Sequence, residues 1–275
     1  MRIVEQSAII ENWDRMSLAH RVERAARLCY GRTKEKEPRA FVKSLVEKKH
    51  FSPLEFARVR IEGGLFLPHS INLRDLRRES LSNKTDPSNL AYMVNAEHPE
   101  FFEDIHHKWR KPVVTDEGKY HWYPDDTWIP VLITTNRAIS HQLVRHRHEI
   151  AIMQESQRFT KHIDDVDFIR PSAYWEPNTS AEDNWIDAMT EAEHEYAYAL
   201  ERGYSAQAAR LYLTNSAATR VLVYASPGEW GYIFKLRCSE KADPMMQALM
   251  IPLRDEFLRR NYISQDYLDN VGRYW

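Results

Sequence analysis

The chain has 275 residues, 43% hydrophobic and 28% charged, with 38 Lys and Arg against 40 Asp and Glu for a formal net charge of -2. This hydrophobic share supports a buried core and excludes a disordered chain, and the length suits one to two domains. No apolar run is long enough to cross a bilayer, and a pI near 6.6 argues against a general nucleic-acid coat.

The opening MRIVEQSAIIENWDR has no long apolar core behind a basic stretch, so no secretory signal and a cytoplasmic location are expected. Only eight glycines are present, about half the average share. Neither GxGxxG nor GxxxxGK[ST] occurs, so any nucleotide phosphate has to be held by side chains, with Arg and Lys as the supply. The two cysteines, Cys29 and Cys238, are expected to be reduced, mostly buried thiols rather than a disulfide or a nucleophile.

Along the chain, Leu18, Val22, Ala25, Ala26 and Cys29 recur at helical spacing, with Gly31 as the stop. A second helix is expected from Pro38 to Lys49, and FARVRIEGG alternates as a strand from Phe56 to Glu62. Residues from about 65 to 126 are irregular. NLRDLRRES reads as a short basic helix, while SNKTDPSN and KPVVTDEGKYHWYPDD read as loops. This region is taken as an insertion without a core of its own, within a single domain spanning 1–275.

WIPVLITT follows as a buried strand, and NRAISHQLVRHR as the helix after it. Thr179 with Glu182 forms a capping box for a long helix ending near Gly203, whose inner face is Trp185, Met189, Ala192 and Tyr196. Ser205 caps SAQAARLYL, ATRVLVYA is a strand, Pro227 to Leu236 a short helix, and Asp243-Pro244 opens the last long helix. This mix gives an α/β fold of the α+β type, a central mixed or antiparallel sheet flanked by helices.

The densest polar group is Arg145-His146-Arg147-His148, followed by Gln154, Ser156, Gln157 and Arg158. A solvated basic face at a helix end is the plain alternative. Emergence from a buried strand, with hydroxyl, amide and guanidinium donors just downstream, points instead to an anion site. Arg210 lies in the apolar stretch AQAARLYL and Arg237 follows the apolar run from Trp230 to Leu236, and a buried arginine calls for an anionic partner. His50 and Glu55 sit in KKHFSPLEFARV, in a turn before a strand. His146 and His148 form an HxH pair and His106-His107 lies upstream, but no HExxH or paired CxxC supports a metal site.

RLCY, KHFSPLEF, SHQLVRHR, QESQRF, AQAAR and EWGYIFKLR occur in an order that resembles the flavin-dependent thymidylate synthases, with eight residues between Arg147 and Ser156. The resemblance implies transfer of the methylene group of methylene-tetrahydrofolate to C5 of dUMP. Reduced FAD would supply the hydride, NADPH would reduce the flavin, and a homotetramer would carry its sites between subunits. It implies dUMP contacts at Gln142, Arg145, Gln154, Ser156, Gln157, Arg158, Arg210 and Arg237. It implies FAD contacts at Ser52, Arg145, His146 and Arg147, with His50 beside them. Arg237 would stabilise the ionised uracil ring, while a protonated His146 with Arg147 would stabilise a reduced, anionic flavin. The chain departs from the family where a flavin-contacting Asn-x-Arg and a later His or Asn are usual: Ser226, Gly228 and Tyr232 stand there, and Phe56 replaces a histidine. These departures keep two alternatives open, C5 modification of another pyrimidine nucleotide and a nucleotide-binding relative that has lost flavin.

Overall fold

The computed structural model describes residues 1–30, 37–62, 69–82, 97–101, 121–124, 126–158 and 166–271. Gly31, residues 83–89 of the SNKTDPSN stretch and His106-His107 lie outside them. In chain order the strands are β1 (Arg2–Val4), β2 (Ser7–Ile10), β3 (Arg58–Glu62), β4 (His69–Asn72), β5 (His121–Pro124), β6 (Ile129–Asn136), β7 (Ile150–Gln154), β8 (Asp167–Ile169) and β9 (Ala218–Ala225). The helices are α1 (Leu18–Tyr30), α2 (Pro38–Glu47), α3 (Leu73–Ser82), α4 (Arg137–Leu143), α5 (Ser180–Glu201), α6 (Ala206–Ala209), α7 (Pro227–Arg237), α8 (Pro244–Arg259) and α9 (Gln265–Asn270). The fold mixes helices with mainly antiparallel sheets, and no described helix is long and apolar enough to cross a membrane.

Two compact units result: residues 1–12, 28–31 and 127–275 form one, and residues 13–27 and 32–126 the other. In the first, four antiparallel strands run in the order β2-β6-β9-β7, beside a parallel pair of β1 and β8. The register sets Ile129 opposite Ala225, Val131 opposite Val223 and Ile133 opposite Val221. With a side-chain period of two, these six share one face. They join Trp230, Ile233 and Phe234 of α7 and Met246, Leu249, Met250, Leu253 and Phe257 of α8 in one core.

Helix α7 is anchored by Trp230, which is fully buried, donates from Nε1 to the Ile129 carbonyl at 3.0 Å, stacks on Phe234 and packs at a tilt against Phe257. Tyr267 of α9 lies against α7: a Cβ at Gly231 would come within 2.4 Å of the Tyr267 ring, so glycine is what permits this approach. The α9 helix was not foreseen. Thr179 caps α5 as expected, and Met189 and Tyr196 are buried in a smaller core with Phe168 and Ala217.

The second unit corrects the reading of 65–126. Strand β3 is central between β4 and β5 in a three-stranded antiparallel sheet, so HWYP is a strand and not a loop. Here α2 packs on the turn at Pro99–Phe101, and Asn72 caps α3 by accepting from Asp75 N. Leu73, Leu76 and Phe101 are fully buried, as are Leu54, Phe56 and Val59 from the preceding segment. Residues 69–82 and 97–101 thus pack with elements that precede them in sequence. Sparse apolar residues suffice because each short element meets a partner. Arg21, also buried, pairs with Asp126.

Trp230→Ala should lower stability by about 3–5 kcal/mol. Trp230→Phe should cost about 0.5–1.5 kcal/mol, the scale of the lost indole hydrogen bond to the Ile129 carbonyl. Denaturant midpoints of the two variants give the comparison.

Candidate functional site: arginines around a short helix

The site begins with an interrupted helix. Asn136 at the end of β6 accepts from Ile139 N at 2.8 Å and starts α4. Residues 137–158 contain neither Gly nor Pro, so nothing local ends the helix. It nevertheless stops at Leu143, because Ile150–Gln154 must pair antiparallel with β9. Arg145, His146, Arg147 and His148 therefore occupy the turn between α4 and β7, contrary to the helix expected there. Glu149 closes the turn at φ 42, a conformation costly for a residue with a side chain. It is held by Ser226, whose N–H donates to the Glu149 carbonyl and whose hydroxyl donates to Oε2 at 2.6 Å.

At the end of α4 the turn meets the last turn of α7. Arg237 Nε donates to His146 Nε2 at 3.2 Å, Nη1 to Gln142 Oε1 at 3.3 Å and Nη2 to the Gln142 carbonyl at 2.9 Å. All three acceptors are neutral, and no carboxylate pairs with Arg237 among the described residues. Burial, then repulsion from Arg145, pushes its pKa below the usual arginine value, with Tyr232 opposing. The group stays a cation at ordinary pH. Among the described residues, no side chain is the expected anionic partner of Arg237.

His146 is buried, and its Nδ1 lies 3.2 Å from Glu229 Oε1. Arg237 Nε–H can only donate, so His146 Nε2 accepts and the ring proton sits on Nδ1. Arg145 and Arg147 are exposed, and neither makes a side-chain ion pair among the described residues.

At the start of α4 a second cation pair forms. Burial and the nearby Arg210 lower the pKa of Arg137, with Glu155 opposing. Arg210 sits in a half-exposed 3-10 turn, Arg210–Tyr212, rather than inside an apolar helix. Gln154 Nε2 donates to Ser140 Oγ at 2.9 Å and to Thr219 Oγ1 at 3.2 Å, while Glu155 takes a bidentate bond from Arg220. Ser156 Oγ accepts from Arg158 N at 3.3 Å, and Gln157 lies half-buried between them. Arg137 and Gln142 are five residues apart on one helix, about 8 Å along its axis. Two repelling arginine pairs therefore flank one short helix, Arg137 with Arg210 at its start and Arg145 with Arg237 at its end, an arrangement that an anionic ligand relieves.

Not every expected contact gathers here. His50 and Ser52 are exposed residues of the other compact unit, at the entry to a 3-10 turn, Ser52–Phe56. The start of α7 fits a pyrophosphate poorly. Its first turn is capped by Ser226, the Glu149 carboxylate bonds to that cap, and the Tyr267 hydroxyl lies 3.3 Å from where a Gly228 Cβ would stand. Arg137, Ser140, Thr219 and Glu229 escaped the sequence reading. For Glu229 the available signal was the S-x-x-E pattern from Ser226. Among the described residues, Glu191, His194 and Glu195 bring potential metal ligands together, on an exposed face of α5.

The fold is that of a mixed helix-and-sheet protein with arginines gathered around a short helix. Residues 129–260, which hold the whole arginine cluster, match the family model of the thymidylate synthase complementing protein. The recognition made from SHQLVRHR, QESQRF, AQAAR and EWGYIFKLR is borne out over that stretch. Similar proteins include the flavin-dependent thymidylate synthases of Geobacter sulfurreducens, 32% identical over 119 residues, 43% of this chain and 50% of the relative. That of Mycobacterium marinum is 28% identical over 129 residues, 42% and 51% of the two chains, and that of Mycobacterium avium 30% identical over 138 residues, 46% and 53%. The chain spans about half the length of these curated relatives.

Burial raises the Cys29 pKa and pushes Cys238 up to about 11. At pH 8 Cys238 should stay a thiol, so iodoacetamide should label it far more slowly than free cysteine, and labelling should accelerate only as the pH nears 11.

Proposed function

We propose that the arginine cluster binds dUMP and that the protein is a flavin-dependent thymidylate synthase. In this reading dUMP is methylated at C5, methylene-tetrahydrofolate is the carbon donor and NADPH the reductant, in a homotetramer. The observation that carries the proposal is Arg237, a half-buried cation held by three neutral acceptors and pressed by a second arginine.

Arg237 has N–H groups to spare for a uracil ring. It would stabilise negative charge on that ring by charge-assisted hydrogen bonds, which makes C5 nucleophilic without a cysteine adduct. The elevated pKa of Cys238 agrees with that route. Gln142 and Arg145 would bind the ring side. Arg210, Gln154, Ser156, Gln157 and Arg158 would bind the phosphate side, where Arg137 adds charge. FAD, when bound and reduced, supplies the hydride. Arg145 and Arg147 suit its anionic parts, with His146, His50 and Ser52 as the further contacts that the family resemblance implies. The crowded, acidic start of α7 favours one alternative, a nucleotide-binding relative without flavin.

dUMP titration followed by calorimetry, together with the absorbance spectrum after FAD addition, tests both readings. The enzyme reading expects a flavin spectrum, dUMP binding and dTMP production. A colourless protein that binds dUMP supports the alternative, and absence of dUMP binding overturns both. Arg237→Lys should weaken dUMP binding about 10- to 100-fold, since the planar fork of charge-assisted bonds is lost.

A further inference from the structure

Ser226 and Glu229 have the spacing of a capping box at the start of α7. Half of it forms: Glu229 N donates to Ser226 Oγ at 3.1 Å. The reciprocal half does not, because the Ser226 N–H donates instead to the Glu149 carbonyl at 3.2 Å. The Glu229 carboxylate is thereby released from the helix end. It turns inward, is 5% exposed, and accepts from His146 Nδ1.

A neutral histidine has two tautomers, and the hydrogen bond at one nitrogen decides which is present. With Glu229 holding the proton on Nδ1, Nε2 offers its lone pair to Arg237 Nε–H. With the proton on Nε2, two donors would face each other and the guanidinium would have to rotate away. Tyr232 packs edge-on to the His146 ring at 6.1 Å and limits its reorientation. The charged groups around this chain of contacts are Arg145 beside Arg237, and Glu149 and Tyr267 on the Glu229 side.

We propose that Glu229 is a positioning residue: it fixes the tautomer of His146 and, through that ring, the plane of the Arg237 guanidinium. Its consequence for ligand binding rests on the dUMP reading above, whereas its consequence for the unliganded protein does not.

The test uses the full chain, labelled with 15N, without ligand. Long-range proton–nitrogen spectra should show His146 as the Nδ1–H tautomer, and the Arg237 Nε–H should exchange slowly. Glu229→Gln retains an acceptor oxygen and should preserve both signals. Glu229→Met should shift His146 toward the Nε2–H form, speed exchange at Arg237 Nε and weaken dUMP binding about tenfold, the scale of one lost charge-assisted bond. An Nε2–H or doubly protonated His146 in the parent protein overturns the proposal. So does a Glu229→Met variant with both signals unchanged. Should Glu229→Met fail to fold, the parent spectrum and Glu229→Gln decide, since loss of either signal in the glutamine variant is contrary to the proposal. A parent protein with both signals and their expected response, but no dUMP binding, would overturn the functional reading and leave the positioning role supported.

Discussion

The pairing of β7 with β9 is the constraint on which the site depends. It forces the chain to reverse within a few residues of the end of α4, and the reversal consumes the segment richest in cations. Without it, residues 145–148 would continue a helix and spread their side chains around its axis. With it, His146 points inward to Glu229 and Arg237, while Arg145 and Arg147 stay at the surface. The left-handed Glu149 is the local cost of the turn, offset by its two bonds from Ser226.

Charge then explains what the turn is for. Arginines in folded proteins are ordinarily neutralised by carboxylates, as Arg21 is by Asp126 and Arg220 by Glu155. Around α4 the pattern inverts: among the described residues no carboxylate pairs with Arg237, and Arg137 and Arg210 repel one another. The carboxylate nearest Arg237 along the hydrogen-bonded path, Glu229, is separated from it by an imidazole. The guanidinium is thus oriented without being neutralised, which preserves its capacity for an anion.

The scarcity of glycine acquires a structural meaning as well. It excludes a glycine-rich phosphate loop and leaves side chains as the source of any phosphate contacts. At Gly231 the missing side chain serves packing, because Tyr267 occupies the space it would take.

Much was legible in the residues themselves. Helices α1, α2, α5, α7 and α8 and strands β6 and β9 follow from periodicity, capping residues and proline positions, which are local properties. The arginines and amides of the cluster could be named from type and spacing, because no other residues supply planar charged donors. Only the tertiary structure decided where α4 stops, that HWYP is a strand, and that His146 lies between Glu229 and Arg237. Each of these depends on a partner far away in sequence. Strand pairing overrode a helix with no local breaker, and the packing of α7 brought positions 229 and 237 to either side of the ring at position 146.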